Sequence, residues 1–165
     1  GHIVGPGWSQ PNPAGHFNLS VWKTIASGET LELPNLGLET VHHVHADDIA
    51  TLFLAIINHW SVSVGESFHS VSEKALTLRG YAEAMYRWFG KEPDLRFASF
   101  EQWAKSWDAR DANATWDHIA HSPNCSMDKA ARLLGYRPRY SSLEAVQDSV
   151  RWLIESGELQ DLAPS

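Results

Sequence analysis

The 165-residue sequence holds a single cysteine, Cys125, so no intrachain disulfide can form and a reducing, cytoplasmic setting is the plain expectation. Long hydrophobic runs are missing too. The longest, from Ile49 to Ile57, is far too short to span a bilayer, and no basic segment precedes an apolar one at the start, so neither membrane insertion nor secretion is indicated. Positive charge is in deficit: 13 Lys and Arg stand against 20 Asp and Glu, a formal net charge of -7. Such a surface repels duplex nucleic acid and anionic membranes alike, which leaves a small molecule as the natural partner. There is no internal repeat, no low-complexity stretch and no Gly/Ser linker, so residues 1–165 read as a single domain. An initiating Met is absent as well, and Gly1-His2-Ile3-Val4 runs directly into a Gly-Pro-Gly turn, as a chain starting inside a strand would.

What is present is an ordinary globular composition, 43% hydrophobic, with eight Trp whose default role is packing. Breaker clusters at Gly5-Pro6-Gly7 and Pro11-Asn12-Pro13 predict a loop after a short strand. Helical spacing then predicts a helix from His16 to Ser27, ended by Gly28, with a short extended piece at Leu31 to Leu33. Glu39 to Val44 reads as a strand, with Asp47 or Asp48 as N-cap of the next helix. In that helix Ile49, Leu52, Phe53, Ile56, Ile57 and Trp60 form one wide apolar face for packing on a sheet. A strand at Ser67 to Ser72 would complete a right-handed parallel crossover. Thr77 caps a helix from Leu78 to Phe89, Asp94 to Ala98 reads as a strand, and Phe100 to Trp116 is a mixed, helix-leaning stretch. Ser126 opens a short helix to Leu134, ended by Gly135, and Ser141 with Glu144 makes a capping box for a last helix through Ser156.

The densest polar chemistry is His42-His43-Val44-His45-Ala46-Asp47-Asp48. Read as His43-x-His45-x-Asp47-Asp48, it resembles the H-x-H-x-D-H signature of the metallo-β-lactamase superfamily, which implies a zinc-dependent hydrolase; His118 and His121 are available as further ligands, although nothing in their local spacing demands it. Against this, Asp48 stands where a His belongs and a helix begins at once. The alternative reading is a strand end followed by a helix cap, with the histidines alternating between core and cleft.

That second reading leads to a family. Val44-His45-Ala46-Asp47-Asp48-Ile49-Ala50 resembles the V-H-V-D-D-V-A segment of the extended short-chain dehydrogenases/reductases, the NAD(P)-dependent epimerase/dehydratase family. Ile3 to Gly7 resembles the family's loop after the sixth strand, Gly65 to Val71 the strand before the C-terminal helices, and Met127 to Pro138 its D-x-x-K-A-x-x-x-L-G-W/Y-x-P signature. Ser142 to Val146, with Trp152, matches the closing helix. The resemblance implies an α/β fold: C-terminal strands of a Rossmann-type parallel sheet plus a mostly helical substrate-binding lobe. It also implies NAD or NADP bound by a preceding Rossmann half of roughly another 150 residues, domain-sized, with a glycine-rich turn and a Tyr-x-x-x-Lys pair. This sequence has no such turn, and none of its tyrosines is followed four positions later by Lys. The chain alone is therefore expected to bind no cofactor and to be inactive, as an epimerase/dehydratase part or a non-catalytic scaffold derived from one. Exposed sheet edges and apolar helix faces would then drive self-association. For the substrate wall the resemblance nominates Gly5, Pro6, Gly7, Trp8, Asn18 and His43, with Arg79 as a candidate anion clamp. Members acting on nucleotide-diphosphate sugars often carry Arg where Val41 stands, so the expected substrate weakens to a sugar-like or other hydroxylated small molecule.

Overall fold

The computed structural model describes residues 1–162 of the chain. In order it runs β1 (His2–Val4), α1 (Ser20–Ser27), β2 (Leu31–Pro34), β3 (Thr40–Val41), β4 (His43–His45), α2 (Ala46–Asn58), α3 (Trp60–Ser63), β5 (Leu76–Thr77), α4 (Leu78–Trp88), β6 (Leu95–Ala98), α5 (Phe100–Trp103), α6 (Ala109–Ile119), α7 (Asp128–Leu134) and α8 (Ser142–Glu155), with a 3-10 turn at Ala104–Ser106. The short strands pair two by two. β1 and β4 run parallel with His2 opposite His43 and Val4 opposite His45, β2 and β6 run parallel, and β3 and β5 run antiparallel. This is a mixed α/β structure in which helix predominates, as the resemblance implies.

Local chemistry explains most element ends. Gly28 and Gly135 close α1 and α7 in the left-handed conformation, Thr77 accepts the Gly80 N–H at the start of α4, and both bonds of the Ser141/Glu144 capping box form on α8. The helix expected from His16 begins only at Ser20. The side chains of Asn12 and His16 bind the backbone of residues 14–18, which holds that stretch as loop, and Asn18 Oδ1 accepts the Ser20 N–H. The expected strand at 39–44 breaks at His42 into β3 and β4. Residues 67–72 form no strand, because β4 lasts three residues before α2 starts. Ser72 makes a ladder-like bond, N–H to the His43 carbonyl at 2.9 Å. The imidazole of His42 supplies the rest of the tether, accepting the Cys125 N–H and donating to the Ser72 carbonyl.

Two apolar clusters result. The main one joins Trp22, Ile25, Leu33, Tyr81, Met85, Trp103, Val146 and Val150 from α1, β2, α4, α5 and α8. The smaller one joins Leu52, Val71, Met127, Leu134 and Tyr136 between α2 and α7. The wide face expected of α2 is only partly used. Leu52 is buried, but Phe53 is 61% exposed, Ile57 60% and Trp60, at the start of α3, 66%. No strand of the structure lies against that side, so the expected packing on a sheet is not made within residues 1–162.

Candidate substrate-binding site

The loop after β1 is held from two sides. Gly5 has φ 128°, and a Cβ there would come within 3.0 Å of His45 Nε2, so both backbone and neighbour require glycine. On the other side Ser149 of α8 places its hydroxyl 3.0 Å from the Gly5 carbonyl, 2.9 Å from the Trp8 carbonyl and 3.0 Å from Gln10 Oε1. One hydroxyl donates one proton, and the buried Gln10 Nε2 has no partner. Turning the Gln10 amide over lets its N–H donate to Ser149 while Ser149 donates to a loop carbonyl, which satisfies the buried donor. Pro6, Gly7 and Trp8 then stand exposed at the loop tip.

Beneath the loop lies a layer of imidazoles. His42, His43 and His45 are all buried, so the expected alternation between core and cleft does not occur. Parallel pairing of β4 with β1 covers one side of the strand, and Tyr81, Tyr140 and the 5–16 loop cover the other. His45, not Asp47 or Asp48, caps α2: its Nδ1 accepts the Asp47 N–H and its Nε2 faces Asp148 at 3.2 Å, with the ring stacked on Tyr140. Asp48 is fully buried and holds a distant segment instead, accepting the N–H groups of Arg139 (2.9 Å) and Tyr140 (3.1 Å). His43 packs edge-on against Tyr81, whose hydroxyl donates to the Pro11 carbonyl, and the same carbonyl acts on the buried His43 ring. Burial drives its pKa down to about 3 and those of His16 and His2 to about 4, so all three are neutral near pH 7.

Helix α6 closes the site from above. Its Asp111 accepts the Asn18 amide at 2.8 Å, Thr115 donates to the Ala14 carbonyl, and His118 Nδ1 donates to the Gly15 carbonyl at 2.5 Å. His118 meets His2 edge-on at 4.5 Å and Phe17 at 5.2 Å. The structure therefore brings Gly5 to Trp8 onto one loop, places Asn18 under α6, and puts His43 below the surface with no exposure. Arg79 lies elsewhere, paired with Glu83 at 2.9 Å and set over Phe97. Val41 is buried and paired with Leu76. Gln10, Ser149 and His2 were not singled out by the sequence, and His118 was considered only as a zinc ligand; Ser149 and His118 meet the loop region across separations of 144 and 103 residues, which leave no local pattern.

The zinc reading fails on its donors. Both His45 nitrogens are engaged, His43 is sealed off, and the Asp47 carboxylate is exposed on Arg139. Among the described residues no cluster of three or more His, Cys, Asp or Glu is placed to hold a metal. Neither of the two strand-to-helix junctions beside the site has the form of a glycine-rich dinucleotide turn. The β4–α2 junction has no glycine and its first free N–H is taken by His45, while β1 and α1 are separated by the long clamped loop, so neither turn presents a pyrophosphate cradle.

Comparison with models of known protein families finds no match. Among curated proteins, the chloroplast stem-loop binding protein of 41 kDa b from Arabidopsis thaliana is 27% identical over 130 residues, 76% of this chain and 32% of the plant protein. Among solved structures, epimerase Mth375 from Methanothermobacter thermautotrophicus superposes with a TM-score of 0.63 at 21% identity, covering 96% of this chain and 42% of that one. The dTDP-glucose 4,6-dehydratase of Bacillus anthracis gives 0.61 at 17% identity, covering 95% and 43%, and the UDP-glucuronic acid 4-epimerase of Bacillus cereus gives 0.61 at 14%, covering 94% and 43%. The chain thus spans less than half the length of these proteins. It has the fold of a part, about 43%, of the NAD-dependent epimerases and dehydratases.

Proposed function

We propose that this chain is the substrate-facing C-terminal lobe of an NAD(P)-dependent epimerase or dehydratase and works with a preceding Rossmann half of the same protein. The observation that carries the reading is the outer side of α2 and the start of α3, where Phe53, Leu54, Ile57 and Trp60 stand in solvent. A helix that follows a parallel strand lays its apolar stripe on a sheet, and the β1–β4 pair is too narrow to cover this one. Further strands beside that pair would cover it, as a Rossmann sheet does. In this role the bound nicotinamide, held by the other half, takes and returns a hydride. This chain's share is to bind and orient a hydroxylated small molecule against it, through the Gly5 to Trp8 loop fixed by Ser149 and His45. The name of the plant relative concerns stem-loop binding, but a net charge of -7 favours a small molecule over nucleic acid here. The free Cys125 fits a reducing, cytoplasmic setting.

The coding sequence upstream of Gly1 and a dinucleotide titration of the full gene product test this. The expected result is a glycine-rich turn and a Tyr-x-x-x-Lys pair upstream, with NAD or NADP bound by the whole product and not by residues 1–165. An in-frame stop immediately before Gly1 would overturn the reading.

A further inference from the structure

We propose that residues 107–123, with α6 at their centre, form a hinged lid that lifts to admit a ligand, and that Asp111 is its latch on Asn18. The proposal rests on the function proposed above and concerns how access to that same site is regulated.

The first observation is what α6 holds. Asn18 belongs to the substrate wall that the family resemblance nominates, yet both ends of its amide are in use: Oδ1 accepts the Ser20 N–H at 3.0 Å, and Nδ2 donates to Asp111 Oδ2 at 2.8 Å. Asp111 therefore competes with any ligand for that amide. Four and seven positions further along α6, on the same face of the helix, Thr115 donates to the Ala14 carbonyl and His118 to the Gly15 carbonyl. Gly15 has φ 89°, and a Cβ there would come within 2.9 Å of Thr115, so the helix lies directly on the loop. Under this cover His16 is fully buried, with its ring 4.3 Å from that of Trp107 and its Nε2 without a partner.

The second observation is how lightly α6 is attached. It buries Ala112, Thr115 and Ile119, and of these only Ile119 joins the main cluster among the described residues, whereas α4 commits Leu78, Tyr81, Met85 and Tyr86. Arg110, Asn113, Trp116 and Asp117 are exposed. What remains is hydrogen bonds, which water replaces at small net cost, and elements with few buried apolar contacts are the ones that open locally. The third observation is the joints. Trp107 and Asp108 are extended ahead of the helix, and beyond it Ser122 has φ 40° just before Pro123. A left-handed backbone is unfavourable for serine, and a lifted lid no longer imposes it.

The test combines amide hydrogen exchange, read by mass spectrometry, with modification of histidines by diethyl pyrocarbonate, both on the full 165-residue chain near neutral pH. Exchange in α6 is expected to run at least ~100-fold faster than in α4. His16 is expected to react slowly, at a rate set by lid opening. Asp111→Ala removes the latch, and Thr115→Val removes one bond without changing charge. Each should speed α6 exchange and His16 modification together, by roughly tenfold for Asp111→Ala as suits a hydrogen bond to a charged group, with α4 exchange unchanged. Protection of α6 equal to that of α4, or variants that leave α6 exchange as it was, overturns the proposal. So does faster α6 exchange with no change at His16, which would be fraying of the helix without opening of the site, and so does an equal rise in α4, which would make the opening global. Dinucleotide binding by the full gene product is a separate measurement, so the enzyme class can stand while the lid falls.

Discussion

Helices α4 and α2 carry apolar patterns of comparable strength, yet one is buried and the other stands half bare. On α4, Leu78, Tyr81, Ala82, Met85 and Tyr86 disappear into the main cluster with Trp22, Leu33 and Val146. On α2, the described structure buries Leu52 and leaves Phe53, Leu54 and Ile57 to water. An apolar stripe marks a face suited to burial, and the pattern is silent on what would bury it. The two regions therefore differ in how fully their apolar faces are covered within residues 1–162.

The largest test of that difference removes the centre of the closed region. Trp22 is fully buried and packs against Tyr81 at 6.1 Å between ring centroids. Trp22→Ala should cost about 3–5 kcal/mol in chemical denaturation, as for other buried large aromatics, and could leave the chain unfolded at 37 °C. A loss no larger than that of a surface change would mean that the main cluster is not the stabilising core.

Acid sharpens the comparison next, because His16 and His43 are buried on the loop and main-cluster side, whereas His59 at the end of α2 is exposed. His43, with its folded pKa near 3, and His16, near 4, are buried neutral and must be protonated on unfolding once the pH falls below about 6.5. Their contribution is present in full above about pH 6.5 and is lost as the pH falls toward those folded values, at about 1.4 kcal/mol per pH unit for each histidine. Denaturation midpoints measured from pH 7 to pH 4.5 should show that slope. His43→Phe should flatten it by about one proton's worth, and an unchanged slope in that variant would assign the acid sensitivity to other groups.

Much of the fold was legible because its signals are local. A capping box three residues apart, a Thr before an apolar period and a Gly after one each report a nearby backbone need, and Ser141, Thr77, Gly28 and Gly135 all answer it as expected. Asp48 shows where locality fails. Its place just before an apolar run mimics an N-cap, while its carboxylate serves the backbone of Arg139 and Tyr140 some ninety residues on, and the cap falls to an imidazole lone pair. The site divides the same way. Gly5 to Trp8 could be found as a turn, but Ser149, which holds that turn, sits in the middle of an unremarkable helix face. His2 and His118 acquire meaning through each other, across more than a hundred residues.

The smallest stability effect is expected on the bare side of α2, and there it is most informative. Ile57 is 60% exposed, so Ile57→Ser removes little burial in residues 1–162 and should change the folding free energy by no more than about 0.5 kcal/mol. The same substitution in the buried row of α4 would leave a cavity and an unpaired hydroxyl. Association should respond differently from stability. An apolar face made of Phe53, Leu54, Ile57 and Trp60 favours self-association of the isolated chain, and a polar atom at its centre weakens that contact. Light scattering across a concentration series is therefore expected to show oligomers for the unaltered chain and fewer for Ile57→Ser at equal fold stability. If instead the substitution destabilises the monomer as strongly as a core change, α2 is buried by the chain itself in solution, and the contrast between its two regions disappears.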